Sequence, residues 1–181
     1  MTDANVNRRL VVPADAVRLT SDALRSMRNM ESCCFWFGTR PENGLEMVEG
    51  IVIPQQNNNR GHYHVSADAM IKVGNVARER GWKNLAQVHS HPGKGVGHSG
   101  YDDEMANSRR ALSLVFPNYG VLPGAWRFRG WLWRILPKPF PTEIGVHRYA
   151  GGRWRFLEPS EIAGCVDIVA RPRPTLIDLR R

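Results

Sequence analysis

The chain has 181 residues, 42% of them apolar and 23% charged, the balance of a single folded globular domain with a real core. This composition excludes a low-complexity or fibrous chain, and no apolar run is long enough to suggest a bilayer-spanning helix. A formal charge of +8 favours acidic partners without choosing between nucleic acid, an anionic membrane and an acidic protein face.

In chain order, residues 1–15 read as a polar, loose lead into a short strand. Leu24, Met27 and Met30 at three-residue steps predict an amphipathic helix over residues 20–30, capped by Thr20 or Ser21. ESCCFWFG (31–38) has the continuous apolar centre of a buried strand, and LEMVEGIVIP (45–54) alternates as a second one. QQNNNRG reads as an exposed loop before a short strand, HYHVS. Residues 66–82 predict a helix capped by Ser66, with Met70, Val73 and Val76 on one side. LAQVHSH is a strand ending in histidines, followed by the glycine-rich loop PGKGVGHSG and a helix starting near Ser99. ALSLVFP, WRFRGWLWRI, EIGVHRYA and RWRFL supply the remaining strands.

Residues 1–157 are expected to form the domain, with 158–181 a proline- and arginine-containing tail of only partial order. Strands and helices do not alternate strictly, which argues for an α+β fold around one mixed sheet flanked by helices. Cys33, Cys34 and Cys165 cannot make an even disulfide framework. With no secretory signal pattern at the N-terminus, the expectation is a cytoplasmic protein.

The stretch that carries chemistry is VHSHPGKGVGHSGYDDE (88–104). His89 and His91 lie two apart at a strand end, so their imidazoles share one face. The glycines let the chain turn back, which puts Asp102 in the first turn of the next helix. Two histidines and a carboxylate leave one position of a tetrahedral metal site open, the layout of a catalytic zinc centre. Singly, each residue has a plainer reading. A His-x-His can be a polar strand edge, Ser99 and Asp102 can be a capping pair, and Asp103 and Glu104 suit a helix N-terminus.

Taken together, His89, His91, Ser99 and Asp102 reproduce the H-x-H, seven residues, S-x-x-D spacing, with Pro92 after the second histidine. This resembles the JAMM (MPN-plus, JAB) zinc metalloprotease family. The resemblance implies a single JAMM/MPN-like (cytidine-deaminase-like) domain, with zinc held by His89, His91 and Asp102. It also implies a glutamate opening a neighbouring strand as general base, and ESCCFWFG is similar to that segment, putting Glu31 in the role. Cys34 stands where the family usually has glycine, and Glu42, Glu46 and Glu49 are the competing carboxylates. Ser99 becomes the donor to the oxyanion.

Within the family the chain looks closest to small bacterial deconjugating isopeptidases found beside ubiquitin-like conjugation enzymes, including those of antiphage operons. The implied partners are a ubiquitin-like modifier or its conjugate, and the E1-like and E2-like enzymes of the same operon. Three other readings stay open: a peptidase acting on a sulfur-carrier protein, a non-catalytic scaffold and a nucleic-acid module. The last is suggested by the arginine and aromatic interleaving of WRFRGWLWR, although period two there also fits a half-buried strand with Trp131 and Trp133 together. His62 and His64 read as one strand face. His98 either lines the site or sits in solvent.

Overall fold

The computed structural model describes residues 8–41, 44–106, 108–122, 124–127, 139–170 and 172–180. Strand β1 (Arg9–Pro13) runs straight into helix α1 (Ala14–Arg25). The helix thus lies earlier than residues 20–30. Its buried stripe is Ala14, Val17, Ser21 and Leu24, the three- and four-residue spacing of a helix face. It cannot extend to Met30, because Arg28 and Asn29 take left-handed backbone, with φ of 52° and 63°.

Strand β2 (Cys33–Thr39) and strand β3 (Leu45–Ile53) follow as an antiparallel pair. The polar stretch expected to be pure loop contributes β4 (Asn57–Asn58), which pairs with β5 (Tyr63–His64) in a small separate sheet. Helix α2 (Ala67–Glu79) is capped by Ser66, whose side chain accepts from the Ala69 N–H. Ala69, Val73 and Ala77 form its buried line, with Met70 and Val76 packed at the margin.

Strand β6 (Lys83–Ser90), helix α3 (Gly100–Met105), strand β7 (Leu112–Phe116) and the short helix α4 (Gly124–Arg127) lead to the hairpin β8 (Gly145–Ala150) and β9 (Arg153–Phe156). Trp131 and Trp133 fall outside the described residues. The tail expected to be partly ordered supplies helix α5 (Pro159–Cys165), strand β10 (Val166–Val169) and strand β11 (Thr175–Asp178). Both strands join the main sheet, whose order is β10-β1-β3-β2-β6-β7-β8-β9, with β11 beside β3. The physical reason is edge protection. β1 covers only the first half of β3, through Met47, and β11 covers Gly50 to Ile53, so neither half of that edge is left bare.

β2 is the hub, paired with β3 on one side and β6 on the other. One face of the sheet packs Cys34, Trp36, Val88, Leu114 and Phe116 into the main core with α1. The other packs Phe37 and Val52 against Val73, Ala77 and Trp82 under α2. Trp36 is fully buried and donates its indole N–H to Thr20 Oγ1 at 2.7 Å, so its one polar atom is satisfied. Among the described residues no helix is long and apolar enough to cross a membrane.

Candidate metal centre

Strand register builds the site. β6 runs beside β7 in parallel and β2 in antiparallel sense, so His89 lies level with Cys33 and Val115 at one end of the sheet. His91, one residue past the strand, is held by its backbone: its N–H donates to Phe116 O at 2.9 Å and its carbonyl accepts from Tyr119 N–H at 2.7 Å. Tyr119 reaches that carbonyl because Asn118 and Tyr119 adopt left-handed backbone and Gly120 has φ +88°. A Cβ at Gly120 would come within 2.7 Å of Leu24 Cβ, so the turn and α1 are fitted to one another.

Asp102 arrives from α3. Ser99 is the N-cap, accepting from Asp102 N–H at 3.2 Å, while Asp102 Oδ2 accepts from Ser99 N–H and from the Ser99 hydroxyl, both at 2.7 Å. The capping pair and the cluster that the spacing suggested coexist, and the cap aims the carboxylate. His89 Nε2 lies 3.1 Å from His91 Nε2 and 3.2 Å from Asp102 Oδ1, and His91 Nε2 lies 3.4 Å from Asp102 Oδ2. Ligand bonds of 2.0–2.1 Å in a tetrahedral zinc site put donor atoms about 3.3 Å apart. The three side chains therefore fit such an ion. Their donor atoms lie within 4.8 Å of one another, and His89 and Asp102 are buried. His91 Nδ1 contacts Gly95 O at 3.1 Å, the outer hydrogen bond that fixes a ligand imidazole's orientation.

The electrostatics follow. Burial works against the Asp102 carboxylate, but hydrogen bonds from His89, His91 and Ser99 outweigh it and hold Asp102 far below the ordinary range. Burial pulls His89 down despite Asp102. In His91 burial acts the same way but Asp102 wins and raises it. Glu31 is buried just before β2, and that burial pushes its carboxyl up, with the charges of His91 and Asp102 close enough to act on it. Its backbone is pinned: Glu31 N–H donates to Asn59 O at 2.8 Å, and Asn58 Nδ2 donates to Glu31 O. The competing carboxylates lie elsewhere. Glu46 is ion-paired with Arg40, Glu49 binds Thr39 and the Trp82 indole, and Glu42 falls outside the described residues.

Three neighbours, Tyr63, His147 and Trp154, escaped sequence reasoning. The Tyr63 ring packs 5.7 Å from the His89 ring. Together with Cys33, Phe35, Val65, Met70 and Met105 it lines a cavity of about 220 Å³. His147 is buried and stacks on His98 with ring centres 3.9 Å apart. His98 is no solvent histidine: Nδ1 meets Asp103 Oδ1 and Nε2 meets Ser113 Oγ, each at 2.8 Å. Trp154 leans on the His98 ring at 5.5 Å. Only His98, next to the motif serine, had any local signal. His62 binds Asn59 and His64 is exposed, and neither is among the three side chains whose donor atoms converge. Cys33 and Cys34 are buried thiols, Cys34 pushed up to about 12 by that burial.

A mixed sheet presenting two strand-end histidines and a helix-borne aspartate defines an α+β domain with a three-residue cluster that could hold a metal ion. Residues 13–129 match the family of prokaryotic homologs of the JAB domain, and the chain belongs to that family. It is 32% identical over 124 residues to "Probable metalloprotease y4jG" of Sinorhizobium fredii, covering 64% of this chain and 75% of the relative. Its fold resembles a solution structure from Desulfitobacterium hafniense, with TM-score 0.59, 15% identity, and 88% and 92% of the two chains covered. A solution structure from Salinibacter ruber is similar at TM-score 0.53 and 17% identity, covering 90% and 92%.

Proposed function

We propose that the protein is a zinc metallo-isopeptidase. It hydrolyses the amide bond after the C-terminal glycine of a ubiquitin-like modifier, within a bacterial conjugation system that also holds E1-like and E2-like enzymes. The observation that carries the reading is the His89, His91 and Asp102 cluster, two of whose members are buried, with the Glu31 carboxyl close enough to feel its charges. The family match and the metalloprotease relative support the metallopeptidase class.

His89, His91 and Asp102 hold the ion, which when bound supplies Lewis acidity to water and to the scissile carbonyl. Glu31 takes the proton of the attacking water and returns one to the departing amine. Its raised carboxyl suits it to both roles nearer neutral pH than an ordinary glutamate. The Ser99 hydroxyl exchanges its bond to Asp102 for one to the oxyanion of the tetrahedral intermediate. The cavity beside Tyr63 receives apolar side chains of the extended modifier tail, and the loop from Gly93 to Gly97 lets that backbone pass close.

The test pairs zinc content with cleavage of a modifier fusion, on wild type and on His89→Ala/His91→Ala. About one zinc per chain, lost together with cleavage in the variant, is the expected result. A folded wild type without zinc would sink the reading.

A further inference from the structure

Far from the metal centre, at the opposite ends of the same strands, a small cleft is lined by Arg8, Arg109, Arg110 and Arg148 over an apolar floor that includes Leu10 and Leu85. Leu85 and His89 are four residues apart on β6, about 13 Å along an extended strand. Arg109 and Arg110 precede β7, and Arg148 lies one residue beyond the Ser113 and His147 pair, so the strand register gathers the guanidinium groups at this rim.

Their charge is only partly offset: Arg8 shares Glu46 with Arg40, and Arg148 lies close enough to Glu161 to act on its carboxyl, without a direct ion pair. The one acid lining the cleft is Glu46, already ion-paired with Arg40 and 3.7 Å from Arg8. Arg109 lies over the Tyr149 ring at 4.9 Å, a contact that orients the guanidinium and leaves its charge in place. Among the described residues no carboxylate forms an ion pair with Arg109, Arg110 or Arg148. Several guanidinium groups around an apolar floor focus a positive potential, and their forked donors match the oxygens of a tetrahedral oxyanion.

We propose that this cleft is an oxyanion site that binds a phosphate group, free or carried on a nucleotide. It is separate from the metal centre and independent of the peptidase reading.

The experiment titrates inorganic phosphate, and separately adenosine monophosphate, into the zinc-loaded full chain at low salt, following arginine Nε–Hε resonances by NMR. Saturable shifts are expected, with affinity for both probes falling at least about tenfold in R109A/R148A, since each charge-assisted hydrogen bond lost is worth about 1.5–3 kcal/mol. Tighter binding of the nucleotide than of phosphate identifies the carried group, and equal binding identifies phosphate alone. If the double variant fails to fold, the single exposed substitution R110A carries the same prediction of weakened binding. The control R153A, at the exposed start of β9, should keep wild-type affinity. Three results would overturn the site: no saturable shift up to about 10 mM ligand, equal weakening in R153A and R109A/R148A, or binding lost in H89A/H91A, which would place phosphate on the metal.

Discussion

The two rims of the main sheet are built from the same strands and end in opposite chemistry. At the rim where β6 finishes, His89, His91, Asp102 and Glu31 crowd together, and the Asp102 carboxylate is satisfied by hydrogen bonds from within the cluster. At the rim where β6 begins, Arg8, Arg109, Arg110 and Arg148 face one shared acid, Glu46. The comparison teaches that burial and pairing, more than residue type, separate a preorganised centre from an open docking site. The first is largely buried, with its donor atoms at the spacing a small cation requires. The second is partly exposed, and its Arg109, Arg110 and Arg148 form no ion pair with a carboxylate among the described residues.

The largest expected effect breaks one rim and spares the other. His89→Ala/His91→Ala should lose zinc and cleavage entirely while phosphate binding at the arginine rim persists, with metal analysis and the NMR titration read on one sample. Next, Glu31→Gln should lower kcat about 10²–10⁴-fold with zinc still bound, because it removes proton transfer and keeps the ligands. An unchanged rate would remove Glu31 from the reaction.

Trp36→Ala tests what the rims share. β2 pairs with β3 and with β6, so its fully buried indole supports both ends. Denaturant unfolding should show about 3–5 kcal/mol lost. Zinc then adds stability in the other direction: at a hundred times its Kd it should contribute about 2.7 kcal/mol, read as a Tm that falls on adding a chelator. A Tm indifferent to the chelator would mean that the cluster holds no ion in the folded state. Smallest is Ser99→Ala, expected to cost about 1 kcal/mol as a lost helix cap. A fall in kcat larger than that cap explains would mark Ser99 as acting on the oxyanion.

Much of the metal centre was legible because it is local in the chain. His89 and His91 share a strand end and Asp102 follows within one loop and one helical turn, so spacing alone carries the geometry. Glu31 was legible only through its place before an apolar strand, and the structure brings it near His91 by pairing β2 with β6. Tyr63, His147 and Trp154 were not legible, since their roles depend on contacts between β5, β8, β9 and the loop before α3 that no periodicity encodes. The helix boundary at residues 14–25 and the inclusion of β10 and β11 in the sheet have the same origin. One depends on left-handed residues after the helix, the other on a bare edge of β3 that only the folded sheet exposes.

From its own pattern the chain dictates the class of fold, the spacing that brings His89, His91 and Asp102 together and the capped helix, because these rest on short-range periodicity and spacing. Tertiary packing alone selects which carboxylate joins the trio, encloses the histidines behind it and gathers the arginines at the far rim. Those choices join residues distant in sequence, and their energies come from burial and charge that do not exist until the sheet has closed.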